Sequence, residues 1–412
     1  RHADRLGLIG AAPAHVFEHV MQRVHAARAR VAEHDDPERF RKLGVEVVFG
    51  AARLDTPRRI NVAGRVLESP RIVIATGAVP SIPAIDGLTD AGFLTHATAF
   101  DQSHLPRRIA VLGGGPVGLE FAQVYARLGA QVTVVEMLPQ LLPREDPEAA
   151  TVIHDALHAD GVTVRTGVAA AAVTCCADGA KVVALRGASG MRDAVEVDEI
   201  FVAAGRRANT DGLGLDEVGV RREQGAVVVD TRLRTSVKSV WAAGDVTGGP
   251  QFTHVAEYQA KLVLRNAVFP LSQKAAYDSV PGVTYTDPEV ARVGLTETEA
   301  RDRFGEVGVY RYDFRDLDRA IVDGQTAGFV KIVTRRSGRI LGATVVASGA
   351  GNLIVPLVMA KKRKLKVGEL SRLVYPYPTM AEGVKRAADS YYRGRMAGRA
   401  GEWVKRVVRW LR

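Results

Sequence analysis

Cysteine is almost missing from this chain: its 412 residues contain two, Cys175 and Cys176, side by side. Adjacent cysteines cannot build a disulfide framework. That excludes a small stapled secreted scaffold, and a reducing, cytoplasmic location is expected. Aromatic residues are also scarce, at 6%. They are not interleaved with basic residues in the way that single-strand binders use to stack bases. The net charge of +10 is spread along the chain, so nucleic acid is not an expected partner. No apolar run reaches the roughly 20 residues of a membrane-spanning helix, and no signal-peptide pattern is visible. The chain opens on Arg1 and its first methionine is Met21, so further sequence is expected upstream.

What is present is ample core material. Hydrophobic residues make up 47% and glycines number 41, and the length suggests two to four domains. Residues 14–41 are helix-compatible, with Val16, Val20, Val24 and Val31 near helical spacing. Residues 45–54 and 59–77 read as strands with Gly and Pro punctuation. From Arg107 the pattern becomes strand, glycine loop, helix, strand. A helix at 147–159, a hairpin turning at Asp178-Gly179, buried strands at 198–205 and 239–245, and a helix at 252–269 follow. Beyond about Ala275, alternating segments predict an antiparallel sheet with helices on one side.

The sharpest motif lies at 111–122, VLGGGPVGLEFA, which holds Gly113, Gly115 and Gly118 in G-x-G-x-x-G spacing. It follows a predicted strand and opens a predicted helix. The next strand ends in Glu136, where an acid that reads the ribose hydroxyls belongs. The glycines give a tight turn, close approach to a pyrophosphate and helix–sheet contact. The pyrophosphate would sit on the helix N-terminus, where free N–H groups favour anions. Glu136 would repel a 2′-phosphate, so NADH is favoured over NADPH.

Several stretches then match one family in order: IVIATG (72–77), GGGPVGLE (113–120), AAGRRANTDGL (203–213), WAAGDV (241–246), VTYTDPEVARVGLT (283–296) and YPYPTMAEG (375–383). The chain resembles the flavin-dependent pyridine nucleotide–disulfide oxidoreductases, most closely the mercuric-reductase-like group. The resemblance implies an α/β fold: a Rossmann-like FAD domain (1–105 and 214–274) interrupted by an NAD(P) domain (106–213), an α+β dimer-interface domain (275–392), and a basic tail (393–412). It implies FAD and NAD(P)H as cofactors and a homodimer. Carried over by motif, Asp245 hydrogen-bonds the ribityl chain of FAD, and Thr76 and Gly77 let the backbone approach the flavin nucleotide. Segment 251–256 lines the flavin, and Gly50 and His254 are further cofactor contacts. Glu120 sits near the nicotinamide, and Gly205 and Arg206 border its nucleotide. Tyr377 and Glu382 are the catalytic candidates.

The chain departs from the family pattern in three places. The family's first G-x-G-x-x-G and its Cys-x4-Cys redox pair have no counterpart in the sequence, so one βαβ unit plus the redox helix is expected to precede Arg1. Cys175-Cys176 are vicinal thiols of the kind that suit soft metals, but their position before a hairpin in the NAD(P) domain argues for inert thiols, and no metal site is expected. In YPYPTMAEG, Tyr377 stands where dihydrolipoamide dehydrogenases carry His. A phenol with an ordinary pKa near 10 is a poor base at neutral pH, so the resemblance favours a metal-ion or other small-molecule acceptor over lipoamide. Packing at the dimer interface is an equal reading of Tyr377. The expected activity is hydride transfer from NAD(P)H to FAD to an acceptor. The alternatives are a dihydrolipoamide dehydrogenase, a quinone-type reductase, or a non-catalytic nicotinamide-nucleotide-binding protein. In the tail, Trp403, Val404, Val407, Val408 and Leu411 fall on one helical face and Lys405, Arg406, Arg409 and Arg412 on another. Packing onto the protein is the main expectation for it, with weak membrane-surface contact as the second reading.

Overall fold

The structure is a computed structural model and describes residues 16–187, 190–396 and 409–410. A four-stranded parallel sheet forms the middle of the chain, in the order Glu199–Val202, Arg108–Leu112, Gln131–Glu136, Thr163–Thr166. Arg108–Leu112 and Glu199–Val202 are near-continuous buried apolar runs because neighbouring elements cover both faces, whereas the edge strand Thr163–Thr166 alternates exposed and half-buried residues. The helix Pro116–Arg127 starts with Pro in its first turn, where no N–H is needed. It buries Leu119, Ala122 and Tyr125 on one face. It ends where Leu128 donates back to Val124 and Gly129 takes a positive φ of 105°. A three-stranded antiparallel sheet, Val168–Cys175, Lys181–Gly187 and Arg192–Val197, packs beside it.

On either side in sequence lies a smaller unit. Ile72–Ile74 and Val240–Ala242 pair in parallel, so their C-terminal ends deliver Thr76-Gly77 and Gly244-Asp245 to one place. The meander Ala52–Thr56, Arg59–Val62, Arg65–Glu68 adjoins them. The helix Thr253–Val268 packs Leu262 and Val263 on Trp241. Two expectations change here. The helical region breaks into Phe17–Ala32 and Pro37–Lys42, where Asp36 caps Glu38 N. Residues 45–49 form no strand: Val45 is 50% and Phe49 69% exposed, and among the described residues no strand pairs with them. An apolar alternation without a neighbour to share its hydrogen bonds does not become sheet.

The C-terminal unit is a five-stranded antiparallel sheet, in the order Pro281–Thr284, Glu289–Gly294, Ile340–Ala347, Phe329–Arg335, Val307–Asp313. The helix Glu297–Phe304 begins with a reciprocal Thr296–Glu299 capping box. Helices were expected on one side only, and the second face has its own partner. Val330, Ile332 and Val345 pack toward Leu357, Val384 and Ala387, whereas Phe329, Val290 and Val346 join the core that holds Ala149, Ile153 and Leu119. The sheet is therefore pinned to the dinucleotide-type unit.

That contact also carries a buried charge cluster. Lys331 Nζ lies 3.0 Å from Asp146, 3.0 Å from Glu148 and 3.4 Å from Glu297. The Lys331 and Asp146 side chains are 3% and 1% exposed. Asp146 also accepts from the Thr344 hydroxyl at 2.5 Å. Among the described residues no helix is long and apolar enough to cross a membrane. Of the amphipathic tail, only Arg409 and Trp410 fall within the described residues; Trp403, Val404, Lys405, Arg406, Val407, Val408, Leu411 and Arg412 lie outside them.

Candidate dinucleotide and flavin site

The glycine loop sits between the strand Arg108–Leu112 and the helix Pro116–Arg127. Gly113 has φ 122°, and a Cβ there would overlap the Ala203 carbonyl. A Cβ at Gly118 would overlap the Gly113 carbonyl. Both positions therefore demand glycine for packing. Gly115 differs: a Cβ there meets nothing within 4 Å, and no side chain caps the helix it starts. Its open face and the uncapped N–H groups leave room and donors for a pyrophosphate.

Glu136 ends the adjacent strand and is buried. Its two oxygens accept from Gly114 N and Leu138 N, each at 2.7 Å. Each oxygen keeps a second lone pair for a ribose hydroxyl, and the backbone pairs hold the carboxylate at the loop. Glu120 lies on the first turns of the helix, where it accepts from Tyr285 N at 2.7 Å. Burial raises its pKa, and the Tyr285 N–H opposes the rise. These residues line a cleft of about 2360 Å³, shared with Gly205, Arg206, Gln251 and Phe252.

Across the cleft, Arg206 joins the nicotinamide-side and flavin-side candidates. Its Nη1 is 2.7 Å from Asp245 Oδ2. Asp245 is thus aimed by its strand and held by a charged partner, with further acceptor positions for sugar hydroxyls. Gly244 (φ 81°), Gly205 (φ 119°) and Gly77 (φ 71°) all take conformations that favour glycine. The Thr76 hydroxyl donates to the Asn209 carbonyl at 2.6 Å, which ties this strand end to the loop after Arg206. His254 stacks on Phe252 and pairs through Nε2 with the Pro281 carbonyl at 2.9 Å. It orders the flavin-side segment against the C-terminal sheet.

Of the sequence-predicted residues, Gly113, Gly115, Glu120, Glu136, Gly205 and Arg206 line the cleft, whereas Thr76, Gly77, Gly118, Asp245 and His254 adjoin it through the contacts above without lining it, and Gly50, Tyr377 and Glu382 fall elsewhere. A Cβ at Gly50 would press on Val62 and Ala63 of the meander, and Gly50 does not line the cleft. The Tyr377 hydroxyl donates to Asp318 at 3.1 Å, and Asp318 pushes the phenol pKa up, which keeps it a neutral donor. Glu382 is buried and sits 3.6 Å from Arg386. Tyr377 and Glu382 lie on the C-terminal unit, outside this cleft. Cys175 and Cys176 are exposed free thiols and lie outside it as well.

His96, which lines the cleft with Arg206, carries no motif in the sequence. Burial, helped by the Arg206 charge, pushes its imidazole below the usual range. No motif marks a lone histidine in a connecting loop, so only the fold could reveal it.

The residues present fit a nicotinamide dinucleotide, because the open Gly115 cradle and the Glu136 carboxylate face one cleft. They fit the sugar side of a flavin at Asp245. A second glycine cradle for the FAD pyrophosphate is not found among the described residues. Fold and site together define a dinucleotide-binding α/β protein.

The family comparisons agree with that class. The pattern of the pyridine nucleotide-disulphide oxidoreductase family matches residues 7–260, and its dimerisation domain matches residues 280–388. The chain belongs to this family. It is 38% identical to a mercuric reductase of Streptomyces lividans, over 84% of this chain and 74% of that protein. It is 37% identical to a dihydrolipoyl dehydrogenase of Thermus scotoductus, over 85% and 76%, and 36% identical to a mercuric reductase of Bacillus cereus, of which it spans 55%. Among solved structures, LpdA of Mycobacterium tuberculosis superposes with a TM-score of 0.84 at 29% identity, covering 95% of this chain and 86% of that one. The HOCl-induced flavoprotein disulfide reductase RclA of Escherichia coli superposes at 0.81 and 27%, covering 94% and 88%.

Proposed function

We propose that the protein is a homodimeric, FAD-dependent NAD(P)H oxidoreductase that prefers NADH and passes electrons to a small-molecule or metal-ion acceptor. The observation that carries this reading is the Gly115 cradle with Glu136 beside it in the cleft that also holds Arg206. The Gly115 helix start binds the pyrophosphate through its free N–H groups. Glu136 accepts from both ribose hydroxyls and would face a 2′-phosphate as a like charge, which disfavours NADPH. Asp245, braced by Arg206, holds sugar hydroxyls of the flavin. Bound FAD supplies the hydride acceptor and the one- or two-electron chemistry that follows. Glu120 stands on the nicotinamide side of the cleft, held by the Tyr285 N–H, and burial raises its pKa.

The acceptor reading rests on two features. Mercuric reductases stand among the relatives, and Tyr377 replaces the histidine expected of a lipoamide enzyme. The chain's own thiols are not in Cys-x4-Cys spacing, so no thiol step is assigned to them. The test is an absorbance spectrum of the purified chain incubated with FAD, desalted, and then mixed with NADH without oxygen. Retained flavin absorbance that NADH bleaches supports the oxidoreductase reading. A chain that binds NADH and keeps no flavin contradicts it and favours a nicotinamide-nucleotide-binding protein.

A further inference from the structure

At the end of the cleft farthest in sequence from the glycine loop, the wall becomes cationic. Arg303, Arg335, Arg339 and Lys361 line it, together with Phe304 and Gly294. They come from separate elements: the helix Glu297–Phe304, the end of the strand Phe329–Arg335, the turn before Ile340–Ala347, and the helix Val355–Lys362. The Lys361 side chain is only 12% exposed, and the carboxylate near it, Asp278, is 3.9 Å away and largely in solvent. Among the described residues, Arg303, Arg335 and Arg339 have no ion-pair partner. Arg303 and Arg335 lie over the Phe304 ring, at 5.3 and 4.3 Å from its centroid.

The backbone accommodates this cluster. Gly294 has φ 75°, and a Cβ there would overlap the Leu341 carbonyl and the end of the Lys361 stem. Glycine at 294 is thus the condition for Lys361 to reach the cleft. Burial holds the Lys361 amine below its ordinary range; Asp278 opposes this, and Arg339 and Arg303 add to it. Cations gathered in a partly enclosed space repel one another unless an anion joins them. Arg292, also on the wall, is already paired with Glu145 at 2.7 Å and leaves the cluster's charge unbalanced.

We propose that this end of the cleft binds a small polyanion carrying phosphate groups, with Lys361 at its floor and Arg303, Arg335 and Arg339 at its rim. Arginine forks match phosphate oxygens two at a time, and the lysine supplies a point charge beneath them. The site stands on residues of the C-terminal unit and does not depend on the nicotinamide or flavin reading.

The test is calorimetric titration of inorganic pyrophosphate into the full chain at low salt, with saturating NADH present to fill the glycine loop. One site per chain is expected. Its affinity falls about tenfold to a hundredfold in Lys361→Met and in Arg339→Gln, as loss of one charge-assisted hydrogen-bonding group predicts, while NADH affinity is unchanged. Arg339 is exposed, so its variant reports even if Lys361→Met fails to fold. Absence of binding at millimolar pyrophosphate overturns the proposal. So does equal affinity in Arg339→Gln and the parent, or a loss of pyrophosphate binding that tracks a loss of NADH binding. If the chain binds no NADH, the titration is run without it. In that case the dinucleotide reading fails by itself and the phosphate site is still decided by the two variants.

Discussion

Gly115 and Gly118 belong to the same fingerprint yet fail differently when changed. Gly118→Ala places a methyl group on the Gly113 carbonyl. It should cost about 1–3 kcal/mol of stability, as overpacking does, and a thermal melt would read it. Gly115→Ala has space, with φ −80° and no neighbour within 4 Å. Its melt should match the parent while NADH affinity drops, because the methyl group stands where the phosphate approaches. Glu120 gives a pH prediction. Its folded pKa lies above the ordinary 4.5, so the folded state binds the proton more tightly than the unfolded chain. Stability contributed at this site is therefore lost as pH rises from about 4.5 through the raised folded value. Glu120→Gln keeps an acceptor for Tyr285 N, and it should flatten that part of the pH dependence in urea titrations compared at acid and neutral pH. At this scale the sequence was readable where a motif fixes spacing, as at Gly113, Gly115, Gly118 and Glu136. It was silent on His96, and on the Tyr377–Asp318 contact, whose members lie 59 positions apart. Pairings of that kind exist only after folding.

At the level of elements, the strand Phe329–Arg335 shows why alternation underdescribes this chain. All but its last residue are buried, because helices cover one face and the dinucleotide-type unit covers the other. A strand covered on both sides has no polar face to announce it. Residues 45–49 show the reverse case, a pattern suited to a strand that has no partner among the described residues. Lys331 is the polar exception within the buried strand, and it meets Asp146, Glu148 and Glu297. Lys331→Met should cost about 3–5 kcal/mol in denaturant unfolding, because it leaves Asp146 as a buried charge without its cation. Adding Asp146→Asn should recover a large part of that loss. Recovery would locate the cost in the abandoned carboxylate rather than in packing.

For the whole molecule, the order of motifs disclosed the architecture more fully than periodicity did. The glycine loop, the Gly-Asp strand end and the C-terminal YPYPTMAEG segment follow one another in the family's order, within the ranges that its two domains match. The cationic end of the cleft was not legible, because its residues are scattered from Gly294 to Lys361 and no motif joins them. The dimerisation-domain match predicts that light scattering behind a sizing column will give twice the chain mass of 44.3 kDa. A monomer at micromolar concentration would count against the homodimer.

The measurement that bears most directly on the account is a pair of fluorescence titrations, NADH and NADPH, into the same preparation, repeated with Glu136→Ser. The parent is expected to bind NADH at least about tenfold more tightly than NADPH, a difference of ~1.4 kcal/mol, and Glu136→Ser to narrow the gap. Equal affinities in the parent, or NADPH the tighter ligand, would contradict it. Glu136 would then serve only to hold Gly114 and Leu138, and it would not read the ribose.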